Sequence, residues 1–156
     1  MMQKSNIEIQ IAKKEDAFAM AELEKMCFSS PWSEKAILDT MQGENSLFLV
    51  AKADEKICGY IGSYSALDEG YITNVAVNPD FRRRGVGKAL VGELIRLGKE
   101  KQLSFLTLEV RESNGGAIAL YTLLGFENVG KRPGFYSAPT EAACLMTYYM
   151  GKEREI

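Results

Sequence analysis

Residues Arg82-Arg83-Arg84-Gly85-Val86-Gly87-Lys88-Ala89 follow directly on an apolar, strand-like run over 71–77. They lead into a helical pattern carrying Leu90, Leu94, Ile95 and Leu97. A glycine loop of this kind leaves main-chain N–H groups uncovered at a helix N-terminus, where they and the helix dipole attract phosphate. The preceding strand puts the loop at a strand's carboxyl end, where open α/β sheets hold their ligands. A Walker loop is excluded, because no Ser or Thr follows a Gly-Lys pair at the required spacing. Gly125 to Lys131 imitates that spacing, but Arg132 stands where the hydroxyl belongs and Pro133 opposes a helix. A dinucleotide fingerprint needs a third glycine where Leu90 stands. A solvated basic run is the bland alternative, and binding of a small phosphate-bearing ligand outweighs it.

Glu109 is the second candidate. It interrupts the apolar run Phe105-Leu106-Thr107-Leu108-Glu109-Val110, whose pattern is that of a strand buried on both faces. A partly desolvated carboxylate near that strand's carboxyl end would have a raised pKa and serve as a base near neutral pH. A structural ion pair, with Arg111 or a cation of the loop, explains the residue equally well. Just beyond, Ser113 or Asn114 can cap a helix on which Ala117, Leu120, Tyr121 and Leu124 share one stripe. Tyr121 is by default a core or boundary aromatic, and it becomes a proton donor if its phenol enters a cleft. The chain has no histidine. Ser-His and Cys-His nucleophiles and imidazole metal sites are therefore excluded, and no metal is expected. Acid–base chemistry falls to carboxylate, Tyr, Lys, Cys or water.

The elements that must position these groups read as follows. A strand over 7–11 precedes helices over 16–27 and 33–41, the two separated at Ser29-Ser30-Pro31. Strands over 47–53 and 57–65 form a hairpin, and a third strand spans 71–77. A helix over 87–102, a strand over 105–110 and a helix over 116–124 come next. Strands over 126–131 and 142–150 close the chain. The strand–helix–strand centre requires a parallel pair. The fold class is α/β with a mixed, twisted sheet of about seven strands, flanked on both faces by about four helices.

The 156 residues suit a single domain, 1–156. Nineteen basic residues face 21 acidic ones, so no general basic surplus points to nucleic acid. Neither a leader-like start nor a membrane-length apolar stretch is present, so no membrane partner and a cytoplasmic location are expected. Cys27, Cys58 and Cys144 are odd in number and far apart, and read as small core residues.

Taken in order, Val75-Ala76-Val77-Asn78-Pro79, Arg82 to Gly87, Leu108-Glu109-Val110-Arg111, Ser113-Asn114, Ala119-Leu120-Tyr121 and Leu124-Gly125-Phe126 resemble the GNAT family of N-acetyltransferases. The likeness covers the central half of the chain. Within that family the chain is most similar to the bacterial ribosomal-protein-alanine N-acetyltransferases. Phe28 to Glu34, with its Pro31-Trp32-Ser33-Glu34 core, and Leu67-Asp68-Glu69 share that narrower likeness. The resemblance implies acetyl-CoA as cosubstrate and a splayed parallel strand pair around it. Arg83, Arg84, Gly85, Val86, Gly87 and Lys88 would bind the pyrophosphate, and the backbone of Val75, Ala76 and Val77 the pantetheine arm. Asn114 would touch the cofactor, Glu109 would be general base, and Tyr121 would protonate the leaving thiolate. Gly115-Gly116 depart from the family pattern, and Arg132-Pro133-Gly134-Phe135-Tyr136, implied near the acceptor, match it loosely. Tryptophan in place of Gly87 is expected to crowd the phosphate cradle.

The chemistry is self-consistent. An α-amine of pKa about 8 is roughly one-tenth neutral at pH 7, against under a thousandth for a lysine. A carboxylate base suffices for the former. A phenol near pKa 10 protonates a thiolate near 8.5 with a modest uphill step. The implied acceptor is a protein N-terminus, the N-terminal alanine of a small-subunit ribosomal protein, and the enzyme a monomer or weak homodimer. A small-molecule amine acceptor, or a CoA-binding module without turnover, are the alternatives.

Overall fold

A computed structural model describes residues 6–151. Strand β1 (Ile7–Ile11) leads through a 3-10 turn (Lys14–Asp16) into α1 (Ala17–Cys27) and α2 (Glu34–Met41). Strands β2 (Ser46–Ala53), β3 (Lys56–Ala66) and β4 (Glu69–Val77) follow. Then come α3 (Val86–Glu100), β5 (Phe105–Arg111), α4 (Gly115–Leu124), β6 (Glu127–Tyr136) and β7 (Glu141–Tyr149). All seven strands form one sheet in the order β1-β2-β3-β4-β5-β7-β6. Only β4 and β5 run parallel; every other neighbouring pair is antiparallel. The expected mixed sheet is present.

Local chemistry sets the helix ends. Asp16 closes the 3-10 turn rather than opening α1, because its carboxylate accepts the Lys13 N–H at 2.8 Å. Ser33 Oγ accepts the Ala36 N–H at 3.1 Å and starts α2. Helix α3 stops at Glu100, short of the expected 102, and Gln102 turns the chain at φ 62°.

Two cores lie on opposite faces of the sheet. Leu90, Val91, Leu94 and Ile95 of α3 and Tyr121 of α4 pack on Leu106, Leu108 and Val110 of β5. On the other face Met20 and Leu23 of α1 and Ile37 of α2 pack on Phe48, Val50, Tyr60 and Ala76. Cys58 and Cys144 are core residues as expected. Cys27 is not: half-buried at the end of α1, it donates its thiol to Val77 O at 3.3 Å.

Candidate active site

The parallel pair is brief. Glu69, Gly70 and Tyr71 pair with Phe105, Leu106 and Thr107, and the two strands then part. Beyond that point β4 shows β5 an unpaired edge. The Asn78 N–H donates to Cys58 O at 2.8 Å, and Ala76 lies opposite Tyr60 on β3. Main-chain polar groups alternate between edges along a strand. Those of Ala76 therefore face β3, whereas those of Val75 and Val77 face the split. An extended arm added to this edge would meet the N–H and C=O of Val75 and the N–H of Val77.

At the end of that edge, Gly85 adopts φ +80° and caps α3. Nothing lies within 4 Å of where its Cβ would stand, so backbone conformation alone requires glycine there. The first helical bond runs from Ala89 N–H to Gly85 O at 2.9 Å. The N–H groups of Val86, Gly87 and Lys88 precede it and have no helical acceptor. These amides fit a pyrophosphate. Arg82 approaches Cys27 Sγ at 3.6 Å, and the Arg84 guanidinium lies over the Phe81 ring at 5.0 Å. Gly87 has a packing reason as well. A Cβ there would lie 3.3 Å from Leu120 and 3.8 Å from Val77, so a larger side chain would also press on Leu120.

The split opens into a cavity of about 420 Å³. One wall comes from Glu24, Cys27 and the segment Phe28 to Trp32, another from the divergent halves of β4 and β5. Asn114, Ala117 and Tyr121 of α4 and Phe135 and Tyr136 of β6 complete it. The structure thus brings Glu109, Tyr121, Asn114 and Val75 together. The loop 83–88 lies outside this cavity, at the far end of the β4 edge.

Glu109 is partly buried. Its side chain is 29% exposed and its Oε2 lies 3.1 Å from Arg132 Nε on β6. Arg111, one of the two partners the ion-pair reading offered, instead pairs with Glu141 at 3.2 Å and stacks on Tyr136 at 4.5 Å. The guanidinium of Arg132 is 58% exposed, and exposed pairs contribute at most about 1 kcal/mol. An amine or water entering the cavity can therefore replace Arg132 at little expense. Asn114 is a cap: its Oδ1 accepts the Ala117 N–H at 3.1 Å, leaving the amide nitrogen to offer a cofactor.

Tyr121 is buried, its ring 5.5 Å from that of Phe126. Burial first, then the neighbouring Tyr136, pushes its phenol up to about 12. Tyr136, raised by burial and then by the charge of Glu109, donates its O–H to the Glu109 carbonyl at 3.0 Å. Sequence reasoning missed Tyr136, Trp32 and Glu24 as wall residues. Tyr136 lies inside the segment that the resemblance implied near the acceptor, and Trp32 inside one that carried only the narrower likeness; Glu24 gave no signal. Among the described residues no group of three Cys, Asp or Glu side chains could hold a metal ion. None of their helices is long and apolar enough to cross a membrane.

The family model "Acetyltransferase (GNAT) family" matches residues 17–126. The chain belongs to the GNAT acetyltransferases. It is 39% identical over 128 residues to the [ribosomal protein bS18]-alanine N-acetyltransferase of Salmonella typhimurium, covering 82% of this chain and 86% of that protein. The Escherichia coli K12 protein of the same description is 37% identical over 121 residues, 78% of this chain and 81% of that one. The crystal structure of the Escherichia coli ribosomal-protein-S18-alanine N-acetyltransferase superposes with a TM-score of 0.86 at 34% identity, covering 92% of this chain and 94% of that chain. A Thermoplasma acidophilum GNAT-fold N-acetyltransferase solved with coenzyme A shares the fold, with a TM-score of 0.78 at 19% identity over 92% of this chain and 99% of that one.

Proposed function

We propose that this protein transfers the acetyl group of acetyl-CoA to the α-amine of a protein N-terminus, the N-terminal alanine of ribosomal protein bS18. The observation that carries this reading is the near full-length similarity to proteins described by that activity. The cleft supports it chemically. Uncovered amides at the start of α3 suit the cofactor's pyrophosphate, and the free β4 edge suits its amide-bearing arm. That arrangement leads the thioester into the split between β4 and β5. Glu109 takes a proton from the incoming amine, directly or through water. Tyr121 gives one to the departing sulfur. A main-chain N–H of the β4 edge polarises the thioester carbonyl, a contribution of about 3 kcal/mol in comparable sites.

The test mixes the protein with acetyl-CoA and either an Ala-Arg-starting peptide or a polyamine, following thiol release and peptide mass. Release with the peptide, and an acetyl group on its first residue, are expected. Release with the polyamine alone would overturn the acceptor, and CoA binding without turnover would overturn the enzyme. Glu109→Gln is expected to slow turnover by about 10²–10⁴-fold while sparing CoA affinity; unchanged turnover would return Glu109 to its ion pair with Arg132.

A further inference from the structure

Asn74 lies on β4, 8% exposed, in the wall of the cavity. One amide N–H donates to Glu24 Oε2 at 3.0 Å. Glu24 is itself buried and also receives the Tyr60 O–H at 2.6 Å and the Trp32 N–H at 2.9 Å. A carboxylate meeting an O–H and two N–H groups acts as acceptor toward all three, so the nitrogen of the Asn74 carboxamide has to face it and the oxygen has to face away. That oxygen, Oδ1, is buried and has no hydrogen-bond partner among the described residues. An unmade bond of this kind is destabilising, and a donor entering the cavity that Asn74 lines would relieve it.

The faces of the sheet say which donor. Leu106, Leu108 and Val110 pack toward α3 and α4, so Glu109 projects to the opposite face. Asn74, bonded to Glu24 of α1, is on that same face. Tyr121 stands on the other, with α4. An amine entering from the α1 side therefore meets Asn74 on β4 and Glu109 on β5, with the proton donor for sulfur across the split.

We propose that Asn74 Oδ1 accepts an N–H of the acceptor's α-amine and orients it for attack. This rests on the function proposed above. Nucleophilic attack requires the amine's lone pair to point at the thioester carbon. A fixed acceptor on one strand and Glu109 on the other hold the N–H bonds aside and leave the lone pair facing the split. Glu24 acts through Asn74, fixing which end of the carboxamide meets the substrate. Through the Trp32 N–H it also ties down the opposite wall.

Two peptides test this: one starting with alanine, and the same sequence with a propionyl group in place of the alanyl residue, which removes only the amine. Affinity for each is measured calorimetrically on the full-length protein saturated with CoA, alongside the KM for acetylation of the first. Wild type prefers the amine-bearing peptide. Asn74→Leu is expected to bind CoA normally, lose about tenfold of that preference and raise KM to match. Should that variant not fold, Asn74→Ser keeps a hydroxyl for Glu24 but falls short of the cavity, and the same loss is expected. A folded variant that keeps the full preference, or weakens both peptides equally, overturns the contact. If wild type binds CoA but does not acetylate the alanine peptide, the acceptor reading falls and the contact with it, before any substitution is compared.

Discussion

At the scale of single residues, the hardest proton transfer is to the sulfur. With Tyr121 near 12 and a thiol near 8.5, transfer is uphill by roughly 5 kcal/mol if the thiol keeps its solution value. That is steeper than the ordinary phenol value implies. The departing thiolate shares the buried site, however, and burial raises its affinity for a proton as it does the phenol's. The gap therefore narrows when sulfur sits beside the ring. Tyr121→Phe preserves the ring contact with Phe126 and removes only the O–H. Turnover is expected to fall about 10²-fold with CoA affinity within about twofold, read by steady-state kinetics and titration. Unaltered turnover would make Tyr121 a packing residue.

At the scale of elements, the sequence declared those that carry local patterns and hid those that depend on distant partners. The glycine loop, the apolar run of β5 and the helix after Asn114 were readable because spacing and capping are local. The end of β6 was not: it runs to Tyr136, where Tyr136 pairs with Glu141 across a register shift after Arg132. Pro133 and Gly134 in that stretch read as loop. Nor was the partner of Glu109 visible, since Arg132 lies on that same strand. Glu24 looks like any charge on a surface helix; its partners Tyr60 and Asn74 are 36 and 50 positions away. The departure at Gly115-Gly116 now has a reading. An added Cβ at Gly116 meets nothing within 4 Å, and its φ is not positive, so glycine is not required for space or conformation. Gly116→Ala is expected to stabilise α4 by about 0.5–1 kcal/mol and raise Tm by about 1–4 °C in a thermal melt. A lower Tm would show that the first turn of α4 needs its freedom.

For the molecule as a whole, titration follows from what is buried. No histidine is present, so no side chain of ordinary pKa titrates between about pH 6 and 8. On the acid side, Glu141 is held below the usual carboxylate range by Ser113 and then Arg111. Its contribution is present above its unfolded pKa and is lost as pH falls through the folded one. On the alkaline side, Tyr60, Tyr121 and Tyr136 are all raised, burial being the first cause in each. An unfolded tyrosine releases its proton near pH 10 while the buried one still holds it, so the unfolded state gains as pH rises past 10. Tyr121 alone should forfeit about 2–3 kcal/mol by pH 12. Urea midpoints are therefore expected to stay level from about pH 6 to 9 and to drop steeply above 10, with a shallower drop for Tyr121→Phe. Catalysis should not share that plateau. kcat/KM for an alanine peptide is expected to rise through about pH 8 as its α-amine loses its proton, in a range where the fold itself is unchanged. A rate that tracked the stability curve instead would mean that the amine does not set the pH dependence of acetyl transfer.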